Sequence, residues 1–478
     1  MTGMPAPDEY DVIVIGAGST GENVADRAVR GGLTAALVEA DLVGGDCSYW
    51  ACMPSKALLR GAEAVTAARA VAGAREAVSG RIDTTATLHR RDGFAAHWSD
   101  EGQVSWATSH HIAVVRGHGR ITAPRQVSVT ATDGTERRLT ARNAVAVCTG
   151  SQPSMPPVEG LRESAPWTTK DATAAERIPE SMVLLGGGAA GCELATAYAA
   201  LGCAVTVIEA APQILPQLEA FAGQAVATSL RERGVTVLTG TTARSVRRTT
   251  DGDVTVVTDR GEVTGAVLLV STGRQPRTSG IGLDSVGIEA GHYLQIDDTC
   301  RVTAVDGDWL YAAGDVTGRH LFTHQGKYQA RICGDVIVAR SNGAVIDTIA
   351  FSPHQTTADH VAAPAVVFTE PPVATVGRTE QQARDAGLTV RAVDYDMGSV
   401  AGAALHADDY AGHARIVIDE DHHTIVGATL VGANASELIH AATVAIVGEV
   451  PLHRLWHAVP AYPTISEVWL RLLEESGL

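Results

Sequence analysis

Two cysteines five residues apart, with a lysine four residues further on, form the densest group of reactive side chains in this sequence: Gly44-Gly45-Asp46-Cys47-Ser48-Tyr49-Trp50-Ala51-Cys52-Met53-Pro54-Ser55-Lys56. The following run, Ala57-Leu58-Leu59-Arg60-Gly61-Ala62-Glu63-Ala64-Val65, reads as helical, which puts the cysteines near the first turns of a helix. A helix N-terminus and the Lys56 cation both favour thiolate over thiol, so this segment is suited to disulfide exchange. It does not have the Cys-x-x-Cys spacing of a zinc ribbon, and no second pair completes four ligands, so no metal is expected. The other cysteines (Cys148, Cys192, Cys203, Cys300 and Cys333) stand singly in apolar stretches and read as small core residues.

An internal repeat supplies the elements that position this segment. The first copy runs Asp11-Val12-Ile13-Val14-Ile15, then Gly16-Ala17-Gly18-Ser19-Thr20-Gly21, a helical stretch, and Ala35-Ala36-Leu37-Val38-Glu39. The second runs Met182-Val183-Leu184-Leu185, then Gly186-Gly187-Gly188-Ala189-Ala190-Gly191, a helical stretch, and Ala204-Val205-Thr206-Val207-Ile208-Glu209. Each apolar run is a buried parallel strand. The first glycine permits the tight turn, the second lets the backbone approach a pyrophosphate, and the third packs the helix on the strand. The helix N-terminus faces the phosphates, and the acidic residue, 23 positions after the first glycine in both copies, accepts from the adenosine ribose. Two copies imply two dinucleotides, a flavin and a nicotinamide. Around Glu209, Ile208-Glu209-Ala210-Ala211-Pro212-Gln213 offers a carboxylate and no cation for a 2′-phosphate, which favours NADH over NADPH.

With Gly16-x-Gly18-x-x-Gly21 ahead of Gly44-Gly45-x-Cys47-x4-Cys52-x-Pro54-Ser55-Lys56, the chain resembles the FAD-dependent pyridine nucleotide–disulfide oxidoreductases, the family of dihydrolipoamide dehydrogenase and glutathione reductase. The likeness extends over nearly the whole length, through Cys148-Thr149-Gly150-Ser151, Ser271-Thr272-Gly273-Arg274-Gln275-Pro276, Tyr311-Ala312-Ala313-Gly314-Asp315-Val316 and Phe368-Thr369-Glu370-Pro371-Pro372-Val373. The resemblance implies that Cys52 is the flavin-proximal thiolate and Cys47 the thiol that meets the substrate, with Lys56 by the flavin and paired to Glu193. It assigns Gly45, Asp46, Thr149, Gly150, Asp315, Phe322 and Thr323 to the flavin site and His118 and Gly119 to its adenine end, chiefly through backbone groups. In the nicotinamide site it places Gly186, Gly188, Ala190, Gly191, Glu193, Glu209 and Gly273. Thr323 and His324 would open a helix whose N-terminus steadies negative charge on reduced flavin.

The family's C-terminal His-Pro-Thr-x-x-Glu is here Tyr462-Pro463-Thr464-Ile465-Ser466-Glu467. A phenol titrates near 10 and a histidine near 6.5, so Tyr462 is a poor base at neutral pH. Three readings stand open. Tyr462 acts as an acid; His457 substitutes as base; or the enzyme does not reduce disulfides. Because Glu467 is retained where it would orient a partner, replacing Tyr462 by Phe is expected to lose more than tenfold in turnover. Asp46, Tyr49 and Trp50 also depart from the family's small residues, so a lipoyl or glutathione substrate does not carry over.

The implied fold is α/β: two Rossmann-like dinucleotide-binding domains plus a C-terminal α+β dimerisation domain. Residues 1–150 and 275–345 form the FAD-binding domain, 151–274 the NAD-binding domain and 346–478 the interface domain. The apolar final helix, Val468 to Leu473, is expected at the contact of a homodimer. The 478 residues, 45% hydrophobic, suffice for such cores, and a formal net charge of −17 disfavours nucleic acid. No run of 18 apolar residues and no signal-like N-terminus is apparent, so a cytoplasmic enzyme without a membrane partner is expected. The function expected is an NADH:disulfide (dithiol) oxidoreductase with FAD and NAD(H). The alternative is a quinone or small-acceptor reductase working directly from reduced flavin.

Overall fold

The computed structural model describes residues 8–478, which form two compact units. One comprises the chain through Met53 with Asp92–Gln152 and Arg274–His360; the other comprises Pro54–Arg91, Pro153–Gly273 and Val361–Leu478.

In the first unit the β-branched run Val12–Ile15 is buried on both faces and becomes the central strand, Glu9–Ile15, of a parallel sheet. The order is Ile112–Arg116, Ala35–Glu39, Glu9–Ile15, Glu136–Val147, Leu310–Ala312, with Val12 opposite Ala35 and Ala144. The first residues of the long strand Glu136–Val147 pair instead with Gln126–Thr130, and that strand with His118–Ala123, as an antiparallel meander. The helices Ser19–Arg30 and Thr323–Ser341 pack closely because glycines meet side chains. A Cβ on Gly326 or Gly314 would meet Thr20, and one on Gly334 would meet Arg27, which forks onto Asp335. The five cysteines read as small core residues are all buried, and three of them are neighbours in the first unit's core. Cys333 and Cys148 lie close to Cys300, whose Sγ donates to the carbonyl of Gln329 at 3.5 Å, because the long helix, the central sheet and the segment before Leu310–Ala312 converge there.

The second unit repeats the parallel theme in the order Thr236–Leu238, Ala204–Ile208, Ser181–Leu185, Val267–Val270, beside the antiparallel strands Ala243–Arg248, Val254–Thr258 and Gly261–Gly265. A five-stranded antiparallel sheet follows in the order Pro364–Val367, Val373–Gly377, Thr424–Val431, His413–Asp419, Val390–Asp396, with the helix Ala435–Val447 against it. In the final helix, Glu467–Glu475, Val468, Leu472 and Leu473 are buried in the chain's own core, while Trp469 and Leu470 stay half-buried. Among the described residues no helix is long and apolar enough to cross a membrane.

Candidate active site

The two fingerprints fold alike. Gly16 and Gly186 take φ of +99° and +104°, and a Cβ on either would strike a carbonyl of the neighbouring strand's end, Cys148 or Ser271. The third glycines, Gly21 and Gly191, lie against the carbonyls of Gly16 and Gly186, where no side chain fits. The middle glycines are different. A Cβ on Gly188 would meet nothing within 4 Å, and one on Gly18 only Gly45 Cα at 3.8 Å. Each is the N-cap of its helix, Ser19–Arg30 or Ala189–Ala200, and has no side chain to cover the first-turn N–H groups of Ser19 and Thr20 or of Ala189 and Ala190. Open backbone at a bare helix N-terminus is what a pyrophosphate requires, so both loops fit a dinucleotide.

The acidic residues are clamped identically. Glu39 accepts from the N–H of Ala17 (2.7 Å) and of Asp41 (2.8 Å). Glu209 accepts from the N–H of Gly187 (2.6 Å) and of Ala211 (2.7 Å). Two amide donors per carboxylate fix its direction at the end of the second strand of each sheet.

Cys47 lies in a short helix, Gly45–Tyr49, and Cys52 opens the separate helix Cys52–Arg69. The two thiols are hydrogen-bonded to one another, and Thr323 Oγ1, at the start of the helix Thr323–Ser341, lies 3.3 Å from Cys52 Sγ. The bond to Cys52 and then burial push the Cys47 thiol up, while Thr323 and Lys327 pull it down.

Within the second unit Lys56 Nζ donates to Glu193 Oε2 at 2.6 Å and lies 4.8 Å from the centre of the Phe368 ring. Glu193, on the helix Ala189–Ala200, accepts the Phe368 N–H on its other oxygen at 2.9 Å. Each oxygen of this buried carboxylate therefore has a donor, and the lysine has both a counter-ion and an aromatic face.

Asp46, the departure beside Cys47, is held by Arg274 (3.0 Å) and Arg277 (3.4 Å). Arg274 Nε also donates to Ser151 Oγ (2.5 Å), which donates to Asp315 Oδ2 (2.5 Å). Burial raises the Asp315 carboxyl, and the Ser151 hydrogen bond opposes that. Thr149 Oγ1 donates to the carbonyl of Arg277 (2.7 Å), the Arg277 N–H donates to the carbonyl of Gly150 (3.0 Å), and Gly273 turns the chain into Arg274 with φ of +122°. Sequence reasoning left Arg274 and Arg277 unassigned. An aspartate in place of a small residue demands a cation, and the run carrying Gly273 supplies two.

His118 Nε2 lies 3.2 Å from the carbonyl of Gly280, and a Cβ on Gly119 would press on Val38. Phe322 precedes the long helix, with its ring stacked on His324 at 5.4 Å. Tyr462 and Glu467 are not brought together within the chain. Tyr462 is 77% exposed, whereas Glu467 is buried, with Oε1 accepting from Arg471 at 2.6 Å and Oε2 without a partner. Arg471 thus gives Glu467 a structural use that needs no residue at position 462.

The pyridine nucleotide–disulphide oxidoreductase family matches residues 10–342, and its dimerisation domain matches residues 363–472. A dihydrolipoyl dehydrogenase of Synechocystis is 31% identical over 96% of this chain and 97% of its own, and that of Chlorobaculum tepidum is 32% identical over 96% and 95%. Among solved structures, the HOCl-induced flavoprotein disulfide reductase RclA of Escherichia coli, as its Cu(II) complex, shares the fold at a TM-score of 0.83 and 23% identity, covering 98% of this chain and 99% of that one. LpdA of Mycobacterium tuberculosis superposes with a TM-score of 0.81 at 26% identity, over 97% and 99%. The chain belongs to the pyridine nucleotide–disulfide oxidoreductase family. It is an oxidoreductase of α/β fold with FAD- and NAD-binding regions and a C-terminal dimerisation domain.

Proposed function

We infer that this protein is an FAD-dependent NADH:disulfide oxidoreductase, working as a cytoplasmic homodimer and able to run in the reverse direction on a dithiol. The observation that carries this reading is the hydrogen-bonded Cys47–Cys52 pair beside Thr323. Bound FAD would supply two-electron transfer between NADH and that pair. Gly16, Gly18, Ser19, Thr20, Gly21 and Glu39 would hold its adenosine and pyrophosphate, with Gly45, Asp46, Asp315 and Thr323 along the rest. Gly186, Gly188, Ala190, Gly191 and Glu209 would hold NAD(H).

The chain's own residues supply the remaining chemistry. Glu193 holds the Lys56 ammonium in direction through their ion pair. The arginines neutralise Asp46, so a carboxylate is tolerated next to the thiols and a bound pyrophosphate. Cys47 attacks the substrate disulfide, and Tyr462, exposed on its own chain and reaching the partner's site, protonates the departing thiolate. The relatives named above are dihydrolipoyl dehydrogenases, which supports a dithiol–disulfide substrate and does not favour direct transfer to quinones.

Replacing Cys47 and Cys52 individually with Ser tests the reading. Each variant should lose disulfide turnover by at least about 10³-fold while NADH still bleaches the flavin. Undiminished disulfide turnover in both would overturn it.

A further inference from the structure

Asp359 is a buried carboxylate that the mechanism above does not use. It sits on the one-turn helix Ala358–Val361, and its side chain is 1% exposed. Oδ1 accepts from Gln325 Nε2 at 2.9 Å and Oδ2 from Gln329 Nε2 at 2.8 Å. Arg319 Nη1 lies 3.5 Å from Oδ2 and is itself anchored on Asp298 Oδ1 (2.9 Å) and Thr356 Oγ1 (2.7 Å). Gln325 and Gln329 stand one turn apart on the helix Thr323–Ser341, so they share a face, and both are buried. A buried side-chain amide needs partners for its oxygen as well as its N–H groups. Gln329 Oε1 is taken by the N–H of Gly314, which donates to it at 2.7 Å. Gly314 is buried at φ of +82°, a Cβ there would meet Thr20 Oγ1 at 2.8 Å, and Asp315 follows it. Two residues before Gln325, Thr323 Oγ1 lies 3.3 Å from Cys52 Sγ. One carboxylate is thus tied both to the turn before Asp315 and to the first turn of the helix that meets Cys52.

We propose that Asp359 is a positioning residue for the flavin and the dithiol: through Gln329 it fixes the Gly314–Asp315 turn, and through Gln325 the start of the helix at Cys52. This rests on the function proposed above, in which Asp315 and Thr323 line the flavin site. An ionised carboxylate only accepts, so it dictates which way each glutamine amide faces, and Gln329 Oε1 is left for the Gly314 N–H. Asp359→Asn removes that instruction. The new side chain has one oxygen for two Nε2 donors, and a Gln329 amide that turns over to meet it sets Nε2 against the Gly314 N–H, donor against donor. Combining Asp359→Asn with Gln329→Glu reverses the polarity and repairs the pattern. The relocated carboxylate accepts from the new amide on one oxygen and from the Gly314 N–H on the other, with the net charge kept.

The test has two readouts: FAD binding by the apoprotein, titrated by flavin fluorescence, and the long-wavelength band of the two-electron-reduced holoenzyme at saturating FAD. Asp359→Asn should bind FAD about tenfold more weakly, the worth of one buried hydrogen bond to a charged group, and its band should weaken. Gln329→Met leaves Asp359 in place, removes the acceptor of the Gly314 N–H and should weaken FAD binding to a similar degree. Asp359→Asn/Gln329→Glu should recover most of the loss in both readouts, as coupled members of one hydrogen-bond network do. Parental FAD affinity and band in Asp359→Asn overturn the proposal, as does a double variant no better than the single one. If Asp359→Asn does not fold, Gln329→Met decides, and parental FAD affinity there overturns the proposal. A parent that binds FAD tightly but shows no band from Cys52 overturns the assignment of the thiols alone, and the FAD titrations still decide the role of Asp359.

Discussion

Glu209 offers a quantitative test of how this chain chooses its nicotinamide. Its carboxylate is held by two backbone amides, at 2.6 and 2.7 Å, so it cannot swing aside when a 2′-phosphate arrives. Two unit charges about 4 Å apart in water repel by about 1 kcal/mol, so a phosphate dianion at that range costs about 2 kcal/mol. The hydrogen bond from a ribose hydroxyl to a charged acceptor, worth about 1.5–3 kcal/mol, is lost as well. Screening by salt trims the first of these, and NADH should lead NADPH in kcat/KM by roughly 10- to 100-fold, at about 1.4 kcal/mol per tenfold. Glu209→Gln keeps the shape, removes the charge and should lower that ratio at least about fivefold, mostly through NADPH. The assay is steady-state kinetics with both coenzymes at two ionic strengths, with the parent's preference shrinking at high salt. A parent enzyme indifferent to the phosphate, or a ratio unmoved in Glu209→Gln, would refute the argument that the clamped carboxylate faces the ribose.

Three further outcomes are expected. Two-electron reduction should produce a long-wavelength absorption band from the Cys52 thiolate beside the flavin; a band that survives in Cys52→Ala reassigns the proximal thiol. Tyr462→Phe should lose more than about tenfold in disulfide turnover with a flattened alkaline limb, as for a positioned acid; a loss under about threefold makes the phenol a filler, with Glu467 kept only for Arg471. Glu22 has a raised carboxyl, from 4.5 to about 7, so the unfolded chain releases this proton first. Its contribution is present below pH 4.5 and is lost as pH rises through 7. Glu22→Gln should therefore match the parent in urea denaturation at pH 5 and exceed it by about 1–2 kcal/mol at pH 8, after allowance for screening; equal stability at pH 8 would show that Lys327 fully compensates the charge.

Local sequence carried a large part of this protein. The two strand–glycine–helix repeats, their acidic ends and the Cys47–Cys52 segment are contiguous, and their chemistry follows from strand burial, glycine geometry and helix termini that any short window specifies. The folded clamps on Glu39 and Glu209 add only which amides do the holding. Contacts between distant segments were decided by tertiary structure. Glu193 joins Lys56, 137 residues away, and Phe368, 175 residues away. Arg274 and Arg277 close on Asp46 from more than 220 residues along the chain. Thr323 meets Cys52, 271 residues away in the sequence, only because the long helix starts beside that thiol. The ion pair of Glu467 with Arg471, one turn along the final helix, likewise shows only in the folded chain. Periodicity and spacing report what a segment does to its neighbours in sequence. The pairing of a buried charge depends on which chain segments the fold stacks together, and that information lies in no single stretch of residues.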